Sequence, residues 1–131
     1  MTRNLGLDHL VLVVADVDRT LDWYSRYAGL APMRVEEWRR EEVFFPSLRV
    51  DEATIIDVLP GRAEGSGSGG DERGHLDHLC FVVSPEDREA LAAELEVVDS
   101  GVRYGARGDG DSIYVRDPDG LLVEFRSYPS S

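Results

Sequence analysis

The 131-residue chain has one cysteine and no lysine. A lone Cys80 cannot close an intrachain disulfide, and a cysteine-rich zinc site is excluded. Any metal must therefore be held by histidine and carboxylate. No apolar run approaches the ~20 residues that span a bilayer. The opening MTRNLGLDHL lacks the charged head, apolar stretch and small-residue cleavage site of a secretory signal, so the expected location is the cytoplasm. Positive charge is scarce: fourteen arginines stand against 26 acidic residues, for a net charge of −12. Such a surface repels phosphate backbones and anionic membranes, which argues against nucleic-acid or membrane partners. Acidity suits a cationic ligand but serves solubility in the first place. The apolar fraction of 42% is ordinary for a globular protein, and the length fits one domain or two small packed modules.

The most informative feature is a repeat. Leu7-Asp8-His9-Leu10-Val11-Leu12-Val13-Val14 aligns with Leu76-Asp77-His78-Leu79-Cys80-Phe81-Val82-Val83, so that LDHL recurs before a second apolar run. Both segments read as strands buried on both faces. Each is followed by a helix. In the first copy Asp16 is the N-cap, Val17, Leu21, Tyr24 and Ala28 form one apolar stripe, and Gly29 is the stop. In the second, Ser84 caps, Pro85 takes the first helical position, Asp87 completes a capping-box variant, and Leu91 and Leu95 share a face. Strand-like segments follow over 33–38, 43–50 and 53–59, then over 97–104, 112–116 and 121–127. Asp117-Pro118-Asp119-Gly120 is a turn joining the last two. The fold class is thus α+β, built from two βαβββ modules over 5–60 and 75–128 within a single domain. The Gly/Ser-rich stretch 61–74 should be a flexible linker. His75 at its end reads as exposed.

The repeat places His9 and His78 on equivalent strands. Imidazoles on apolar strands are costly unless each nitrogen finds a partner. Two carboxylates likewise interrupt apolar strands: Asp57 in Ile55–Leu59 and Glu124 in Leu121–Phe125. Ionised carboxylates are rarely buried without a partner. Packing of the modules about a pseudo-twofold axis would let all four side chains converge on one six-coordinate divalent ion, such as Ni, Co, Mn, Fe(II) or Zn. Trp38, Phe44 and Phe45 read as strand residues of the core. Ser112, Tyr114 and Arg116 share a strand face, and Arg107 in a Gly-rich loop either clamps an anionic group or is solvated.

The paired βαβββ pattern, LDHL with its strand histidine, and SIYVRDPDGLLVEF near the C-terminus resemble the vicinal-oxygen-chelate superfamily: the glyoxalases, bleomycin-resistance proteins and extradiol dioxygenases. The resemblance covers almost the whole chain. It implies curved mixed sheets forming a cleft, and metal ligation by His9, His78 and Glu124. Asp57 falls where glyoxalase I-like members carry a glutamate, one methylene longer. It also implies a homodimer and a small-molecule substrate chelated to the metal through oxygen, with Asp57 or Glu124 as the catalytic base. The segment around Ser112 and Tyr114 resembles metal-dependent fosfomycin-modifying enzymes, where Ser and Tyr lie beside the substrate. With Arg107 these are the expected substrate-binding residues. Isomerase, lyase and dioxygenase chemistries stay open. So does a non-catalytic, drug-sequestering role of the bleomycin-resistance kind.

Overall fold

The structure, a computed structural model, describes residues 3–62 and 76–129. It divides into two compact units, Met1–Gly65 and Ser66–Ser131. Most of the expected linker, and His75, lie outside the described residues.

In the first unit the order is β1 (His9–Val14), α1 (Val17–Ala28), β2 (Ala31–Met33), α2 (Val35–Arg39), β3 (Ser47–Arg49) and β4 (Ile55–Pro60). The sheet runs β1-β4-β3-β2, with β1 parallel to β4 and the other pairs antiparallel. α1 starts where Asp16 accepts a hydrogen bond from the Arg19 amide at 3.0 Å. It stops at Gly29, whose φ of 71° is strained for any residue with a Cβ. Its stripe of Val17, Thr20, Leu21 and Tyr24 is buried, and the helix packs on β2, β3 and β4. Leu12, Val14, Leu48, Ile56 and Val58 complete this core. Each such side chain contributes about 1.5–3 kcal/mol by leaving water.

The second unit contains β5 (His78–Val82), α3 (Pro85–Glu94), β6 (Asp99–Gly105), β7 (Gly108–Arg116) and β8 (Leu122–Ser127). Its sheet runs β5-β8-β7-β6, with β5 parallel to β8, the same topology as the first. Ser84 caps α3 by accepting from the Asp87 amide at 3.1 Å. The helix packs on β7 and β8, whose Ile113, Val115, Val123 and Phe125 are buried with Leu91. At the β7–β8 turn, Asp117 Oδ1 accepts from the amides of Asp119 and Leu121.

Two modules with equivalent sheets are what the repeat predicts, but the first departs from the pattern in detail. The strand expected over 33–38 ends at Met33, and Val35–Arg39 is helical. The segment VEEWR has acidic residues in its first turn and an arginine in its last, a charge order that favours helix over strand. Arg34 makes the corner with φ 60°. The strand expected over 43–50 shrinks to Ser47–Arg49, because the chain turns at Glu41 (φ 61°) and bends through residues 42–44. Phe44 is therefore not a core residue; it is 94% exposed. The histidine-bearing strands are not buried on both faces either. Leu12 and Val14 are buried, while Val11 and Val13 on the histidine side are about half exposed. α1 and α3 each cover only one face of their sheet.

Candidate functional site

The register fixes the equivalence of the acidic residues. His9 stands two residues before Val11, which pairs with Asp57. His78 stands two residues before Cys80, which pairs with Glu124. In each unit an imidazole and a carboxylate therefore lie on adjacent parallel strands, on the sheet face away from the helix.

Both histidines are oriented by the aspartate of LDHL. His9 Nδ1 lies 2.8 Å from Asp8 Oδ2, and His78 Nδ1 lies 2.8 Å from Asp77 Oδ2. A carboxylate on Nδ1 orients the ring and turns Nε2 to the opposite side. His78 Nε2 reaches Glu124 Oε1 at 3.2 Å. The hydrogen bond to Asp8, opposed by partial burial and aided by the charge of Asp57, raises the pKa of His9.

The carboxylates are held by hydroxyls. Ser47 donates to Asp57 Oδ1 at 2.7 Å and accepts from Arg34 Nη2 at 3.3 Å. Ser112 donates to Glu124 Oε2 at 2.6 Å. Glu124, 2% exposed, also receives Arg126 Nη2 at 2.7 Å and Nε at 3.2 Å, both on Oε2. Burial alone would raise the Glu124 pKa. Hydrogen bonds from Ser112, Arg126 and Tyr114 outweigh it and hold the carboxyl below its ordinary range. Tyr114 is shifted up, by burial first and by the charge of Glu124 second. Its ring lies edge-on to His78, 5.9 Å between centroids. The Cys80 thiol is pushed up to about 11 by burial and by the charge of Glu124.

The second unit thus brings together His78, Glu124, Ser112 and Tyr114. The first brings together His9 and Asp57. Arg107 lies at the β6–β7 turn, exposed, with its guanidinium 5.5 Å from the Tyr128 ring centroid. Sequence reasoning missed Arg126, Ser47, Arg34, and the two aspartates beside the histidines. One signal was available: Glu124 and Arg126 share a face of an otherwise apolar strand, so opposite charges were already placed to pair. Arg34 and Ser47 had no such signal, since Ser47 meets Asp57 only through the β3–β4 register and Arg34 reaches Ser47 from the corner before α2.

Among the described residues, no group of three or more His, Cys, Asp and Glu gathers as a metal cluster; each unit offers one imidazole and one carboxylate. The pair in the second unit fits a divalent ion. Donors bound at about 2.0–2.2 Å in neighbouring octahedral positions stand about 3 Å apart, close to the 3.2 Å between His78 Nε2 and Glu124 Oε1. Aspartate on the opposite ring nitrogen is the usual support of a metal-binding histidine.

Comparison with known proteins agrees with this architecture. Residues 6–125 match the Glyoxalase/Bleomycin resistance protein/Dioxygenase superfamily, and the chain belongs to it. It is 30% identical to virulence protein STM3117 of Salmonella typhimurium over 127 residues, 93% of this chain and 83% of that protein. The solved structure of that protein superposes with a TM-score of 0.72 at 27% identity, covering 98% of this chain and 100% of the other. The glyoxalase domain-containing protein RDO1 of Mycosarcoma maydis is 34% identical over 136 residues, 94% of this chain and 68% of its own length. Fosfomycin resistance protein FosX of Mesorhizobium loti shares the fold, with a TM-score of 0.67 at 17% identity over 97% of this chain and 95% of that one.

Proposed function

We propose that this chain is a divalent-metal-dependent enzyme of the glyoxalase/dioxygenase type, acting on a small molecule that binds through oxygen atoms. The observation that carries this reading is the duplicated device: an aspartate-oriented imidazole beside a hydroxyl-held carboxylate, at equivalent register in both sheets. A fold that needed only to stack two modules would gain nothing from burying Asp57 and Glu124 there, because desolvating a carboxylate is costly.

The donors proposed are His9, Asp57, His78 and Glu124, two from each unit, with Ni, Co, Mn, Fe(II) or Zn as the ion. When bound, such an ion supplies Lewis acidity that stabilises negative charge developing on a substrate oxygen. The residues do the rest. Asp8 and Asp77 orient the two rings through Nδ1, and Nε2 of each neutral imidazole is the atom proposed to ligate. Ser112, Tyr114 and Arg107 are proposed to shape the substrate's surroundings. Asp57, held by the single hydroxyl of Ser47, is better suited to accept a substrate proton than Glu124, whose Oε2 is tied by three donors. An isomerase or lyase would use Asp57 as the fourth donor, whereas a ring-cleaving dioxygenase needs only the two histidines and one carboxylate. A homodimer is also proposed: Val13 and Val82, on the histidine faces, are each 50% exposed, and apolar surface of that kind favours a covering partner. Light scattering at micromolar concentration should give twice the chain mass; a monomer would remove the dimer from the proposal.

Elemental analysis of protein purified without added metal should find a bound divalent ion, lost in His78→Ala and Glu124→Ala. The acidity of the chain supports one rival, a protein that sequesters a cationic drug. Failure to load any of the five metals, with ligand binding unchanged in His78→Ala, would favour that rival.

A further inference from the structure

We propose that Arg126 is a positioning residue that fixes Glu124 as a one-oxygen ligand. This rests on the metal reading above and adds to it. Arg126 is 4% exposed and lies flat on the sheet face that carries His78 and Glu124. Its Nη2 and Nε both point at Oε2 of Glu124, its Nε also reaches Ser112 Oγ at 3.1 Å, and its Nη1 donates to the Tyr128 hydroxyl at 3.2 Å. Ser112 donates to the same Oε2. Three donors on one oxygen leave Oε1 as the atom Glu124 presents, and that is the atom beside His78 Nε2. The planar fork sets the rotation of the carboxylate as well as its charge.

The sheet is built to seat this side chain. Gly105 and Gly110 are on the same face, in β6 and β7. Neither has a positive φ, so the backbone does not require glycine at either position. Space does. A Cβ on Gly105 would land on Nη1 of Arg126 and come within 2.7 Å of its Cζ and 2.5 Å of the Tyr128 hydroxyl. A Cβ on Gly110 would press on Cγ and Cδ of Arg126 at 3.1 Å and on the Ser127 carbonyl at 2.8 Å. Two glycines without a conformational reason to be glycine thus border one buried guanidinium. The first unit differs: Arg34 touches Ser47, and Ser47, not the arginine, donates to Asp57.

The seat permits a test that leaves every proposed ligand in place. Gly105→Ala keeps an allowed backbone and displaces only the far ends of Arg126 and Tyr128, neither of them a proposed ligand. Co(II) titration, followed by visible absorption and a dissociation constant, is compared for the wild-type chain, Gly105→Ala, Arg126→Lys, Arg126→Met and the Gly105→Ala/Arg126→Met double variant, with thermal melting of each metal-free protein as the control for folding. Gly105→Ala and Arg126→Met should weaken Co(II) by about 10–100-fold and alter the absorption envelope, as loss of a support around a metal ligand does. Arg126→Lys should recover part of the affinity, since its charge returns but its fork does not. The double variant should bind no more weakly than the weaker single variant, because both remove one contact. Wild-type affinity and spectrum in Gly105→Ala, or additive losses in the double variant, would overturn the clamp while leaving the metal reading intact. A wild-type chain that takes up no Co(II) would overturn the metal reading and the clamp together. Should Arg126→Met fail to fold, Gly105→Ala and Arg126→Lys decide the matter by their affinity and spectrum.

Discussion

Glu124 shows how a buried carboxylate keeps its charge. Desolvation favours the neutral acid, yet the hydrogen bonds from Ser112, Arg126 and Tyr114 lower its pKa below the ordinary value. A carboxyl with a lower pKa in the folded than in the unfolded chain contributes stability above the unfolded pKa, lost as pH falls through the folded pKa. Denaturant melts of metal-free protein should therefore weaken steeply below the ordinary glutamate range, and Glu124→Gln should flatten that acid limb. Removing Arg126 leaves the charge of Glu124 uncompensated, so Arg126→Met should cost about 3–5 kcal/mol near neutral pH, read from the shift in urea midpoint. Cys80 is expected to be slow despite its exposure. With its thiol pushed up to about 11, little thiolate exists at pH 8, and alkylation by iodoacetamide should lag a free cysteine by more than tenfold, closing the gap only as pH approaches 11.

At the scale of elements, each sheet rests on one helix, and the contact residues set its stability. Phe125 is fully buried on the helix side of β8. Phe125→Ala should cost about 3–5 kcal/mol by equilibrium unfolding, through lost transfer energy and the cavity left behind. Gly29→Ala should cost on the order of 1 kcal/mol or more, because the C-cap of α1 requires φ 71°. Helices α1 and α3 were legible in the sequence because their caps and stripes are local, whereas α2 has neither a side-chain cap nor a buried stripe. The strands over 33–38 and 43–50 were misread because residues 34–46 form a corner. Arg34 and Glu41 at positive φ leave no mark that periodicity detects, and the short apolar runs there fit either strand or turn.

At the scale of the molecule, the proposed metal links folding to loading. An ion that binds only the folded chain stabilises it by about 2.7 kcal/mol when present at a hundred times its dissociation constant. Calorimetric melts of the wild-type chain should rise with metal concentration, while His78→Ala melts should not. Because both histidines must be neutral to ligate, loading should release protons, measured as a buffer-dependent heat. Affinity should fall as pH drops through the raised pKa of His9.

The sequence by itself determined the duplication, the two helices with their caps, and the four titratable residues placed at matching positions of apolar strands. These follow from local periodicity and from the cost of placing an ionisable group in an apolar run, both readable along the chain. Tertiary structure alone decided that Asp57 and Glu124 fall at the same register beside their histidines, that serines hold them, and that glycines of β6 and β7 make room for Arg126. Those are facts of strand pairing: residues separated by tens of positions become neighbours only when the sheet hydrogen bonds choose one register, and a shift of one residue would turn each to the other face.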